Sequence, residues 1–168
     1  MELTSIDYAK MIQYASLKMF RQHLNKTQIH KILFYVYGVY YAQTDKLLFT
    51  DDTPKVWPYG PVFPRVNKRI NVGEFVSLSD KGAEEFSKHK DALLIIKDAV
   101  SMMYNKSAVS LTEWSHRDDS PWYKTLNPID DNGEKLPQCE WNTPINLNYI
   151  KEYFSNPRNL SIDDYLWE

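Results

Sequence analysis

Between Ser5 and about Leu24, Tyr8, Ile12, Ala15 and Met19 recur at the three-four spacing of a single helical stripe. Asp7, Lys10, Gln13, Lys18 and Arg21 occupy the rest, so the pattern predicts an amphipathic helix with one wet face. Asn25 and Lys26 interrupt it, and Thr27 is read as the N-cap of a second helix reaching about Thr44. In that helix Ile29, Ile32, Leu33, Val36 and Tyr40 form one stripe, while Phe34, Tyr35, Tyr37, Val39 and Tyr41 cover most of the remaining surface. A helix apolar nearly all round belongs in the middle of a bundle. Gly38 in its interior costs about 1 kcal/mol against Ala, so a close helix crossing or a packed aromatic is expected there.

The pattern then changes. Leu47–Thr50 and Lys55–Trp57 read as two short strands joined by Asp51-Asp52-Thr53-Pro54. Trp57-Pro58-Tyr59-Gly60-Pro61 cannot be regular helix, because of its two prolines and one glycine. Pro61 or Pro64 opens a short helix through about Ile70, and a further strand is expected around Phe75–Leu78. Ser79 or Asp80 caps helical pattern that continues to about Tyr104, with a break near His89–Lys90 and a core face of Ile96, Ala99, Val100 and Met103. Ser107–Arg117 reads as another helix, with Ser110 and Glu113 at capping-box spacing. Asp118–Asn142 is read as a long loop anchored by Trp122, Leu126 and Trp141. Thr143-Pro144 is a helix opening, that helix runs to about Ser155, and Ser161 begins a last turn containing Tyr165, Leu166 and Trp167. The fold class expected is mainly α: one domain over residues 1–168, a compact helical bundle with a buried central helix and a small β-hairpin or wing.

Composition narrows the function classes. The chain has 168 residues, 43% hydrophobic and 25% charged, which suits a single globular domain without disulfide or metal support. Cys139 is the single cysteine, in keeping with a reducing, cytoplasmic setting. The start lacks the basic and apolar runs of a signal peptide, and no apolar run approaches the ~20 residues that span a bilayer. A net charge of −2 argues against nucleic acid as the partner. Aromatics reach 14%, with twelve Tyr and five Trp, residues suited to core edges and interfaces.

Candidate chemistry is sparse. The five glycines are scattered, with neither a phosphate loop nor GxGxxG. No His-x-x-x-His or Cys-x-x-Cys spacing exists, so neither metal nor cofactor is expected. Adjacent acids such as Asp51-Asp52 are read as capping helices or facing water. Ser115-His116 ends a helix and Pro121-Trp122 follows; His116 is read as a loop anchor, or with Trp122 as part of a recognition surface.

These motifs carry a resemblance. Thr27–Tyr35 with Val36–Tyr41 resembles the "LqKLLYfa.g.yLa" helix of the Panacea family, which includes the SocA proteolytic adaptor and phage-associated GepA-like proteins. Trp57-Pro-Tyr-Gly-Pro-Val62 resembles its "aWkyGPV" hallmark, and Pro64, Val66 and Lys68 resemble the tail that follows. Leu111, Ser115-His116 and Pro121-Trp122 resemble "Ls..tH...PW", and Pro144-Ile145 with Ile150–Phe154 resembles the closing segment. The chain departs from the pattern at His30, where Gln is common, at Asn67, where Tyr is common, and in its extended Asp118–Asn142 loop.

The resemblance implies a binding function and offers no catalytic residues. Family members act as antitoxins that neutralise toxins by direct contact, and SocA delivers its toxin to a bacterial AAA+ protease. The expectation is therefore a non-enzymatic antitoxin or adaptor of phage or mobile-element type, its partner a toxin encoded beside it. The partner-binding residues expected are Trp57, Tyr59, Arg65, His116 and Trp122; Lys31, Gly60, Pro61, Val62 and Pro121 are expected to build the motif. Two other classes stand beside it: a winged-helix DNA-binding regulator using Arg65, Lys68 and Arg69, and an enzyme using His116 with a loop acid.

Overall fold

The computed structural model describes residues 2–71 and 78–162. Helix α1 covers Ser5–Phe20 and opens on a capping box between Thr4 and Asp7. It closes at Arg21, whose φ of 54° turns the chain away early. Tyr8, Ile12 and Ala15 are buried as the stripe requires, but Met19 is exposed. Gln13 corrects the expected wet face. It is buried, and its amide donates to the Leu24 carbonyl at 3.0 Å and accepts from the Leu24 N–H at 2.8 Å, closing the α1–α2 connection.

Helix α2, Lys26–Thr44, is the buried central helix, packed by α1, by the strand Gly60–Val62 and by the later helices Lys90–Met103, Ala108–Ser115 and Leu147–Ser155. Its N-cap is Asn25, not Thr27: the Asn25 side chain and Gln28 form a reciprocal box that a Ser/Thr-centred reading passes over. Gly38 meets the aromatic expected there. A Cβ at that position would lie 2.1 Å from Cδ2 of Phe154.

The strand pairing also differs from expectation. Strand β1, Lys55–Trp57, pairs antiparallel with β2, Gly60–Val62, around Pro58-Tyr59, while Leu47–Thr50 stays irregular. Asp51 and Asp52 serve helix ends. Asp51 accepts from the N–H and hydroxyl of Ser5, and Asp52 accepts from the N–H groups of Arg65 and Val66 at the start of α3, Pro64–Asn71. Pro61 therefore belongs to the strand, and Pro64 opens the helix. Phe75, Val76 and Ser77 of the further expected strand, or wing, lie outside the described residues.

Ser79 caps α4, Asp80–Glu84. A 3-10 turn, Glu85–Lys88, and a break at His89 precede α5, Lys90–Met103, whose Ile96, Ala99, Val100 and Met103 are fully buried. Helix α6, Ala108–Ser115, is capped by Ser107, so the Ser110–Glu113 box does not form. The expected long loop contains a helix, α7, Pro121–Leu126, opened by Ser120 and Pro121. Trp122 and Leu126 are buried in it, whereas Trp141 is exposed. Thr143-Pro144 does not start a helix. Val56 donates its N–H to Thr143 and Ile145 donates to Pro54, so this stretch covers the outer edge of β1. Asn146 then caps α8, Leu147–Ser155, before a 3-10 turn at Pro157–Leu160. Tyr165, Leu166 and Trp167 lie outside the described residues.

The molecule is mainly α with a small hairpin. That hairpin is held between α2 and α6 on its β2 side and α7 on its β1 side.

Candidate functional site

The corner formed by Trp57–Val62 begins with its backbone. Pro58 fixes φ at the first turn position. Gly60 has φ of +110°, in the region that favours glycine, and lets a Pro-led turn match the twist of the hairpin. Space makes the same demand: a Cβ on Gly60 would lie 2.5 Å from Ser115 Oγ and 2.9 Å from Lys31 Cε. Lys31 from α2, Gly60 from the hairpin and Ser115 from α6 thus meet at one point.

Two tryptophans fix the corner. The buried Trp122 donates its indole N–H to the Trp57 carbonyl at 2.8 Å. The half-buried Trp57 donates its own indole N–H to Asn142 Oδ1 at 3.0 Å. His116 stacks on Trp122, with ring centroids 3.9 Å apart and planes 11° apart. Burial, and then the charge of Lys31, hold the His116 pKa below the ordinary imidazole value. Pro121 is buried at the first position of α7 and aims Trp122 inward. Tyr59 is the exception in this packed assembly. It sits at the tip of the turn and is 77% exposed.

Beside the corner lies a pocket of about 390 Å³, lined by Lys26, Thr27, His30 and Lys31 of α2, by Trp57 to Tyr59 and Val62 of the hairpin, and by Asn67 of α3. Lys31 is only 2% exposed. Its ammonium donates to the Pro61 carbonyl at 3.5 Å, and among the described residues no carboxylate pairs with it. Burial pulls its pKa down to about 8. His30 Nδ1 accepts from the Phe63 N–H at 3.3 Å, which places the proton of the neutral ring on Nε2. Burial, reinforced by the charges of Lys31 and Lys26, pushes the His30 pKa down to about 3, against a smaller opposing effect of Asn67, so the ring stays neutral. His30 Nε2 and Asn67 Oδ1 are both buried and neither makes a hydrogen bond of good geometry, although Asn67 lies close enough to His30 to act on it as a weak hydrogen-bonding neighbour.

Nine of the ten residues singled out from the sequence converge on this region. Arg65 stands apart on α3, where its guanidinium donates to the Asp51 carbonyl. Sequence reasoning missed Asn142, which is distant in the chain and carries no motif, and did not connect His30 with Asn67. Both of those are departures from the family pattern, and they line the same pocket. A larger depression of about 470 Å³, beside Tyr35, Val39 and Ile95, contains none of those ten residues.

Among the described residues no group of three or more His, Cys, Asp or Glu is placed to hold a metal ion, and no helix is long and apolar enough to cross a membrane. No curated protein and no solved structure matches the chain. A family model described as antitoxin SocA-like, Panacea domain, matches residues 29–123, from the first turn of α2 through the His116–Trp122 stack. That span is more than half of the 168 residues and contains the whole corner, and on it the chain belongs to the SocA-like Panacea antitoxin family.

Proposed function

We propose that the chain is a protein-binding antitoxin that neutralises a partner toxin by direct contact through the Trp57–Val62 corner, without catalysis. The observation that carries this reading is Tyr59. A large aromatic is left 77% exposed at the tip of a turn anchored at Trp57 by hydrogen bonds from Trp122 and to Asn142. An ordered aromatic loses little conformational freedom on binding, and Tyr and Trp dominate interface hot spots. Membership of an antitoxin-like family supports a protein as the partner. In this reading His116 serves as the stacked support of Trp122 and transfers no proton.

The test is co-expression with the product of the neighbouring gene. Growth rescue and a purified complex are expected. Tyr59→Ala should weaken that complex roughly thirtyfold, as for a hot-spot aromatic, with the fold intact. Toxin that persists within the complex marks neutralisation by contact, whereas toxin that disappears in an AAA+ protease-dependent way marks an adaptor. Absence of both rescue and complex would overturn the binding reading.

A further inference from the structure

We propose that the pocket between α2 and the Trp57–Tyr59 edge takes an acidic side chain, Asp or Glu, of the protein partner, seated on the Lys31 ammonium and the His30 Nε2–H. The proposal rests on the reading of the chain as a protein binder and names the chemistry its partner brings.

Charge complementarity comes first. Among the described residues the lining contains the buried Lys31 and no acid. An ammonium has three N–H donors, and Lys31 uses one of them at 3.5 Å. Among the described residues its charged and titratable surroundings are Lys26 and His30 on its own helix, His116 at the end of α6 and Tyr59 on the turn. None of these is an anion at neutral pH. A carboxylate supplies the missing acceptor.

The buried polar atoms agree. His30 Nε2–H makes no hydrogen bond of good geometry, its polar neighbour being the Asn67 side chain, and a carboxylate oxygen is the stronger acceptor. Asn67 turns about its last side-chain bond to present NH₂ in place of oxygen. The nineteen-residue helix α2 begins beside these groups, and its positive end adds to the same preference. The wall is apolar, made by Trp57, Pro58 and Val62. A free inorganic anion would leave that wall bare, whereas a side chain entering on a polypeptide covers it and reaches Tyr59.

The probe is the peptide acetyl-Gly-Glu-Gly-amide, titrated into the ¹⁵N-labelled full chain, with the Gln peptide and inorganic phosphate as separate arms. The Glu peptide at millimolar concentration should shift His30 Nε2, Lys31 Nζ and the Trp57 amide together. The Gln peptide and phosphate should not. Lys31→Met should weaken the response roughly tenfold or more, the usual loss with a charge-assisted hydrogen bond. The wild-type response should also fade as pH rises through about 8, where Lys31 gives up its proton. That profile carries the test on its own if the variant does not fold. Equal shifts with the Gln peptide, preference for phosphate, no shift at these residues, or an unchanged response in Lys31→Met would each overturn the proposal. A partner complex lost in Tyr59→Ala but kept at full strength in Lys31→Met removes the acidic-side-chain site and leaves the binding function standing.

Discussion

Lys31→Met is expected to make the protein more stable. The lysine is buried with no acid beside it among the described residues, and its pKa falls from the ordinary 10.5 to about 8. Between those values the unfolded chain holds a proton that the folded chain has released. Stability from this group therefore rises with pH across that window, and below about pH 8 the full penalty applies. A gap of this size corresponds to roughly 3 kcal/mol. Met keeps an unbranched chain of similar length and brings no charge. What it loses is the 3.5 Å bond to Pro61, worth under about 1 kcal/mol. The expected net gain at neutral pH is about 2 kcal/mol.

The assay is urea unfolding of both proteins from neutral pH upward, read as midpoint at constant slope. The wild type should gain on the variant above about pH 8. The comparison ends near pH 10.0, because Tyr8, Tyr35 and Tyr37 are pushed up to about 12 by burial. Those groups stay protonated in the folded chain after the unfolded chain has ionised, so they lower stability with rising pH in both proteins alike. A variant destabilised by more than about 1 kcal/mol, or a wild type that gains nothing on it above pH 8, would refute the account of Lys31 as an unpaired buried cation.

Three further outcomes follow from the packing. Gly60→Ala meets both a positive φ and a 2.5 Å approach to Ser115 Oγ, so a loss of roughly 2–5 kcal/mol is expected in denaturant unfolding, together with loss of partner binding. Gly38→Ala drives a methyl into Phe154 and should lower stability by about 2–3 kcal/mol, a loss that shrinks in a Phe154→Leu background; equal losses in both backgrounds would remove the steric explanation. Trp122→Phe removes the indole donor to the Trp57 carbonyl, and thermal unfolding should register about 1–2 kcal/mol of destabilisation.

Helices whose burial is decided by their own periodicity were legible in the sequence. The stripes of α2 and α5 stand where the three-four spacing puts them, and Gly38 meets the aromatic its position demanded. Features set by distant partners were not legible. β1 pairs with Gly60–Val62 and not with Leu47–Thr50, because Lys31 and Ser115 accept a backbone without Cβ at Gly60. Thr143-Pro144 has the local chemistry of a helix start, yet the open edge of β1 claims it. Gln13 looks like a solvent residue until the Leu24 backbone arrives across the turn. The corner was visible as a motif, but the pocket beside it was not, since its walls come from α2, the hairpin and α3.

Buried polar groups elsewhere in the chain show what structural use looks like. Gln28 bonds Asn25 and the carbonyls of Tyr104 and Lys106, joining α2 to the end of α5. Ser16 bonds Gln22, and Asn159 bonds Tyr153. Each is satisfied and ties two segments together. His30 Nε2, Asn67 Oδ1 and the Lys31 ammonium are buried to the same degree, yet they lack partners or have one long one. Such groups destabilise a fold by about 1–3 kcal/mol each, so stability does not account for them. These three line one pocket, next to the aromatic most exposed among the described residues, while Trp114 Nε1 and His116 Nε2 are orphaned outside it. Under-satisfied polar groups beside a preformed aromatic contact are what a surface presents when their partner arrives on another molecule. Lys31, which reads in the sequence as a framework residue of the motif, therefore weakens the framework and belongs with the binding chemistry.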